Sequence, residues 1–333
     1  AIKGVGKGAV ETIIEHRKDQ RYESIFDLVK RIDLRAANKK AFENLALAGG
    51  FDSFPNVKRA QYFNPDGDGV IFLEKVLRFG SKYQENLNSS QTSLFSEETT
   101  STYQDLTIPD CEAWTNLIRL KKEKEVVGIY ISSHPLDDFT HEIEHFVTLS
   151  LNQLGDLDRL VNREFSIGGI VNEIQHLESR NGKGWARFVV EDFTDQYEFR
   201  IFGEDYLKYR HFLVVNQFVR LRLMIREGWT NRETGKVGAP RMQYLHFEML
   251  QNTVEHNAKK LTLQLEISQL KNESVFELRD ELKSFKGDKP LMFNVYDSDK
   301  KVKLTLNSKK QKVKITPELL KLLDEKQWHY KLN

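Results

Sequence analysis

The sequence predicts a multidomain α+β protein made of a helical unit, a five-stranded β unit and a small α+β unit at the C-terminal end. Three observations predict it. Apolar residues recur at spacings of three and four up to about residue 60, the period switches to two between about 163 and 250, and strand and helix patterns alternate after about 260.

In the first 60 residues, Val10, Ile13 and Ile14 mark one short helix, and Phe26, Val29 and Ile32 a second. A third runs from about Arg35 through Ala41, Phe42 and Leu45 to a stop at Gly49-Gly50. Residues 61–145 form a connector. In it Asn64-Pro65-Asp66-Gly67-Asp68-Gly69 is a turn cluster, residues 70–87 read as a helix, and 86–102 is a polar linker whose apolar residues are Leu87, Leu94 and Phe95. A further helix is expected after Asp110 as N-cap, with Trp114, Leu117 and Ile118 on its apolar face. The run Lys121-Lys122-Glu123-Lys124-Glu125 is read as its solvated face, and the helix ends near Gly128.

Within 146–255, strands are expected at 165–174, 185–191, 196–202, 218–226 and 241–250, with a connection after the third that has helical character. Five strands in that arrangement are what an OB-type barrel needs. In 256–333 the order is strand 261–267, helix 274–285, strands 291–296 and 302–306, and a helix from Thr316-Pro317 to Leu323.

Length and composition limit the function. The 333 residues suffice for two or three domains, and with 39% hydrophobic residues the chain is not wholly disordered. No apolar run reaches the roughly 20 residues of a membrane-spanning helix. No signal peptide is expected, because Lys3, Lys7, Glu11 and Glu15 interrupt the start of the chain. With the single cysteine Cys111, neither an intrachain disulfide nor a multi-cysteine zinc site is possible, and a reducing, cytoplasmic setting is expected. The net charge of +1 conceals a pattern: the balance is +4 over 1–60, −8 over 61–145, zero over 146–250 and +5 over 251–333.

Three groups of residues point to binding. Gly4-Val5-Gly6 between Lys3 and Lys7 precedes an amphipathic helix, where backbone N–H groups can meet a phosphate; a plain tight turn has the same sequence. Arg35, Lys39 and Lys40 at the start of the third helix would form a second such turn, and two adjacent basic hairpins are similar to tandem helix-hairpin-helix units that grip duplex backbones. In the linker, Gln91-Thr92-Ser93-Leu94-Phe95 can bury Leu94 and Phe95 in a partner pocket, or fold them back on the nearest surface. Two such anchors supply roughly 3–6 kcal/mol gross, which implies micromolar affinity or weaker. In the barrel, alternation puts Ala186, Phe188 and Val190 on one face and Trp185, Arg187 and Val189 on the other, and turns Tyr197, Phe199 and Ile201 inward with Glu198 and Arg200 outward. With Arg180 and Lys183 in one loop, and Trp229, Arg232 and Lys236 in another, these supply the stacking and cationic groups of single-strand binding; a structural barrel with ordinary surface arginines fits the same pattern.

No residue spacing suggests a metal site, a nucleotide-binding loop or a nucleophile, so no catalytic residue, metal or cofactor is expected. Asp137-Asp138, Asp66 and Asp68 are read as turn residues and the histidines as turn or surface residues.

Taken in order, several segments resemble the C-terminal region of the bacterial DNA polymerase III alpha subunit family. They are Ala1-Ile2-Lys3-Gly4-Val5-Gly6-Lys7-Gly8-Ala9-Val10, Phe26-Asp27-Leu28, Arg31-Ile32-Asp33, Asn38-Lys39-Lys40 and Leu47-Ala48-Gly49-Gly50-Phe51-Asp52. Gln91-Thr92-Ser93-Leu94-Phe95 and the stretch from Glu123-Lys124-Glu125 to Ser133-His134-Pro135-Leu136 follow. Gly50 stands where the family usually has alanine and Ser133 where it usually has glycine; after about residue 260 the resemblance rests on element order. It implies that Lys3, Gly4, Val5, Gly6, Lys7, Arg35, Lys39 and Lys40 hold duplex DNA. It also implies that Gln91, Ser93, Leu94 and Phe95 bind the beta sliding clamp, that the OB domain meets single-stranded template, and that residues 256–333 meet the clamp-loader tau subunit. The family's palm, fingers and PHP domain would precede Ala1, so polymerase activity is not expected of this chain alone. A free-standing single-strand-binding or DNA-repair accessory protein is the competing reading, and an aminoacyl-tRNA synthetase would need ATP-binding motifs that the sequence does not show.

Overall fold

The computed structural model describes residues 1–88, 106–229, 237–270 and 272–333. The chain divides into two compact units, Ala1–Pro135 and Leu136–Asn333.

In the first unit, α1 (Lys7–Arg17), α2 (Ile25–Arg31) and α3 (Lys39–Leu47) lie where the apolar spacing predicts them, followed by α4 (Arg59–Tyr62), α5 (Phe72–Asn88) and α6 (Asn116–Val127). Asn38, not Arg35, caps α3, its side chain accepting the Ala41 N–H; Arg35 sits in the preceding turn. Ser24 caps α2 in the same way. The core is built on Ile25, Leu28, Phe42, Phe51, Phe54, Tyr62, Phe72 and Leu73.

Two expectations for α6 are corrected. Thr115 caps it rather than Asp110, so the helix starts later and Trp114 precedes it. Its buried stripe is Leu120, Glu123 and Val126, while Ile118 is 44% exposed. Glu123 therefore does not belong to a solvated face. Its carboxylate accepts N–H bonds from Ile131 (2.6 Å) and Ser132 (2.7 Å) and the Ser132 hydroxyl (2.5 Å), and pairs with Arg59 Nη1 at 3.2 Å. Burial alone would raise the Glu123 carboxyl, but these bonds outweigh it and hold it below the usual glutamate value. Arg59 is itself buried, and its Nε and Nη2 reach the Asp52 carboxylate at 2.8 and 2.6 Å. Gly49 completes this knot: its φ is +84°, and a Cβ there would lie 2.1 Å from Arg59 Nη2.

The second unit begins with a 3₁₀ turn (Pro135–Phe139) and α7 (Thr140–Phe146), followed by two further 3₁₀ turns. A five-stranded antiparallel sheet follows: β1 (Glu164–Glu178), β2 (Gly184–Glu191), β3 (Gln196–Phe202), β4 (Phe218–Arg226) and β5 (Arg241–Met249), with α8 (Gly203–Tyr209) after β3. The strand order is β3-β2-β1-β4-β5. β1 is shared: residues from Glu164 to Ile170 pair with β4, and residues from Ile170 to Glu178 with β2. Phe188, Phe199 and Ile201, turned inward as alternation predicts, make the core together with Leu221 and Phe247. The expected barrel closure is not seen, because the edge strands β3 and β5 form no ladder among the described residues. They are bridged instead by a side chain, the Tyr244 hydroxyl donating to the Arg200 carbonyl at 2.9 Å.

After α9 (Thr253–Asn257), a second sheet is built from β6 (Leu261–Glu266), β7 (Lys286–Asp297), β8 (Val302–Val313) and β9 (Tyr330–Leu332), in the order β8-β7-β6-β9. α10 (Asn272–Ser284) connects the parallel pair β6 and β7, and α11 (Pro317–Glu325), capped by Thr316, leads to β9. β7 and β8 are longer than the apolar runs suggest, and β9 is too short to be read from periodicity. A buried pair ties the first sheet to the helices beside it. Arg220 of β4 bonds Glu248 of β5 at 2.5 Å and the Phe146 carbonyl at 2.9 Å, and Asn257 of α9 donates to the same glutamate.

Candidate nucleic-acid interface

The turn before α1 is shaped by its glycines. Gly4 has φ +70°, a left-handed conformation that a side chain would strain, and Gly6 is an extended N-cap without a side chain to bond the first turn. The turn is pinned from inside. The Lys3 N–H donates to the Val126 carbonyl at 2.8 Å, and Asn44 Nδ2 of α3 donates to the Lys3 carbonyl at 2.5 Å. Val5 points inward against the core, so of the residues predicted at this turn it contributes backbone and packing rather than an exposed side chain.

The second turn lies beside the first. A Cβ on Gly4 would stand 3.4 Å from Lys40 Cγ, and one on Gly8 3.9 Å from the Ala36 Cβ. The turn is closed by Asp33, whose carboxylate accepts the Arg35 N–H at 2.8 Å, and Asp33 is tied to α1 by its own N–H bonding Thr12 Oγ1 at 3.1 Å. The structure thus gathers the starts of α1 and α3. Lys3, Arg35, Lys39 and Lys40 are exposed around them, and the Lys7 side chain is 88% exposed. Lys39 is partly committed, since its ammonium pairs with Glu74 at 2.5 Å, and Lys40 lies 3.7 Å from Glu43. The bonds from Lys39 and Arg78 hold Glu74 below the ordinary glutamate value.

The outer face of β1, β2 and β3 carries a second group in two cross-strand rows. Leu177, Trp185 and Phe202 form one row, with Trp185 stacked on Phe202 at 5.1 Å and 18° and Phe202 57% exposed. Gln175, Arg187 and Arg200 form the next, the two arginines facing each other in register. Glu198 lies between them, 3.1 Å from Arg187 Nη1 and 2.9 Å from Arg200 Nη2, so part of the row's positive charge is neutralised. Arg180 and Lys183 are exposed in the turn that enters β2 at the aromatic row. Trp229 is 64% exposed after β4, two strands from β2 in the sheet order. Arg232 and Lys236 lie outside the described residues, as do Gln91, Ser93, Leu94 and Phe95.

Sequence reasoning missed Asn44 and Phe202. The outward phase of Glu198 and Arg200 would have identified Phe202; nothing local marks Asn44, whose role depends on a contact 41 residues away. Among the described residues no group of three or more histidine, cysteine, aspartate or glutamate side chains could hold a metal ion, and no helix is long and apolar enough to cross a membrane.

Comparison with known proteins places these parts. The profile of a helix-hairpin-helix motif matches residues 1–62, and that of the C-terminal domain of the DNA polymerase III alpha subunit matches residues 261–333. The second match covers the segment where the sequence offered only element order. The DNA polymerase III subunit alpha of Borreliella burgdorferi is 31% identical over 217 residues, 64% of this chain and 18% of that protein. Those of Bacillus subtilis and Pseudomonas fluorescens are 26% and 24% identical over 86% and 91% of this chain. The chain spans 24% and 26% of the length of those two relatives. These matches identify the chain as homologous to the C-terminal part of the bacterial DNA polymerase III alpha subunit.

Proposed function

We propose that this chain is a DNA-holding, non-catalytic part of a replicative polymerase, gripping the duplex backbone through the two turns that precede α1 and α3. The observation that carries this reading is the juxtaposition of those turns, with Lys40 against Gly4 and exposed lysines around both, inside the segment that matches a helix-hairpin-helix motif. Backbone N–H groups and lysines contact phosphates irrespective of base, so binding would be independent of sequence. Fluorescence anisotropy with two unrelated duplexes tests it. Equal affinity for both, and a loss of about tenfold in Lys7→Gln/Lys40→Gln, are expected; a strong preference for one duplex, or no loss, would refute it.

The outer face of β1, β2 and β3 is read as an OB-type surface for single-stranded template, on the strength of the Trp185–Phe202 stack beside Arg187 and Arg200. The clamp reading for Gln91, Ser93, Leu94 and Phe95 is supported by their sequence and by the polymerase homology. Surface plasmon resonance on an immobilised clamp tests it, since Leu94→Ala/Phe95→Ala should abolish binding and equal affinity would exclude that role. Contact with the tau subunit through residues 256–333 is proposed on the homology alone.

A further inference from the structure

We propose that the β7–β8 hairpin of the second sheet is an additional nucleic-acid site, binding the phosphate backbone through lysines along its edge. Residues 286–314 contain nine lysines against Asp288, Asp297 and Asp299. Lys300 pairs with Asp297 at 3.6 Å and Lys314 with Glu255 at 3.1 Å. The other seven, at 286, 289, 301, 303, 309, 310 and 312, have no carboxylate at ion-pair distance among the described residues, so their charge is available to a polyanion.

The backbone adds to this. β8 is an edge strand, so one side of it presents N–H groups that no neighbouring strand takes up. Its register breaks where Asn307 pairs with Met292 and Lys312 with Pro290. Residues 308–311 therefore bulge from the ladder, with the Gln311 N–H bonded to Ser308 Oγ at 3.2 Å, and carry Lys309 and Lys310 outward. Lys303 stands across from Tyr296, giving the same strand pair an aromatic ring beside a cation.

Lysines on an edge strand also discourage edge-to-edge pairing between molecules. That role asks for charge on β8 alone, and leaves Lys286 and Lys289 on β7 and Lys301 at the hairpin tip unexplained. A phosphate backbone accounts for all seven, because it follows the hairpin from tip to base.

The test is anisotropy of the 333-residue chain with a labelled single strand and the matching duplex, each of about 20 nucleotides, over a range of salt. In Lys303→Gln/Lys309→Gln/Lys310→Gln/Lys312→Gln, the slope of log affinity against log salt should become shallower by about 2–4 for the form that binds here. The corresponding arginine variant should keep the slope, which separates charge from folding. The loss should persist when Lys7 and Lys40 are already glutamine, so failure here and failure of the duplex reading are distinguishable. An unchanged slope with both probes, or self-association of the glutamine variant with unchanged affinity, would overturn the proposal.

Discussion

Replacing Gly49 with alanine should destabilise the first unit severely. The added Cβ would sit 2.1 Å from Arg59 Nη2 and 2.7 Å from its Cζ, at a residue with φ +84°. The left-handed backbone costs an alanine about 1–2 kcal/mol. The clash costs more, because the guanidinium must leave its place between Asp52 and the fully buried Glu123. Separating a buried pair so that one charge is left behind costs about 3–5 kcal/mol, which we reduce because Asp52 is 48% exposed. A total of about 4 kcal/mol follows, a large part of the ~5–15 kcal/mol that holds a domain folded. Urea unfolding of Gly49→Ala measures it directly, with two controls. Gly50 is outside the left-handed region and a Cβ there would meet Leu45, its carbonyl at 3.1 Å and its Cδ2 at 3.4 Å, so Gly50→Ala should change stability by no more than about 1 kcal/mol. In an Arg59→Ala background, Gly49→Ala should cost only the backbone strain, about 1–2 kcal/mol. A loss below 1 kcal/mol in the wild-type background, or equal losses in both backgrounds, would refute the reasoning.

The buried Glu142 carboxyl has one oxygen without a partner, and burial, with Glu318 nearby, pushes it up to about 7. Its contribution is complete below the ordinary glutamate range, where it is protonated folded and unfolded, and is lost as pH rises through about 7. Thermal melts of Glu142→Gln should therefore match wild type near pH 4.5 and gain on it by up to about 3 kcal/mol above pH 8, while a constant difference would exclude the titration. Arg220→Ala should cost about 3–5 kcal/mol by leaving Glu248 buried without its guanidinium partner, measured as a fall in the melting temperature of the second unit. On the outer sheet face, Trp185→Ala/Phe202→Ala should weaken oligonucleotide binding by about 1–3 kcal/mol per stacked base in anisotropy titrations; unchanged affinity would remove that face from the site.

The first sheet was legible because its strands alternate cleanly: Phe188 and Phe199 point inward, and Arg187 and Arg200 meet outside in register. Helices α1, α2 and α3 were legible from apolar spacing and from Gly49-Gly50. What periodicity did not reveal depends on contacts distant in sequence. Glu123 sits in a run of charges and reads as solvated, yet its partner Arg59 lies 64 residues away. Asp110 and Thr115 are both competent caps, and it is the Thr115 side chain that accepts the Ile118 N–H. Sheet closure depends on hydrogen bonds between the first sheet's two edges, which alternation within each strand does not encode; here Tyr244 spans that gap. The pairing of the two lysine-bearing turns was suggested by their composition, but the adjacency of Gly4 and Lys40 depends on how Asn44 of α3 ties down the turn before α1.

The two turns before α1 and α3 are proposed to form one grip on the duplex backbone. Its most direct test is the salt dependence of duplex binding by the 333-residue chain and by Lys7→Gln, Lys40→Gln and the double variant. The wild-type slope should be steep and become shallower by about one for each lysine removed, equally for unrelated duplex sequences. A slope that is the same in all four proteins would contradict it.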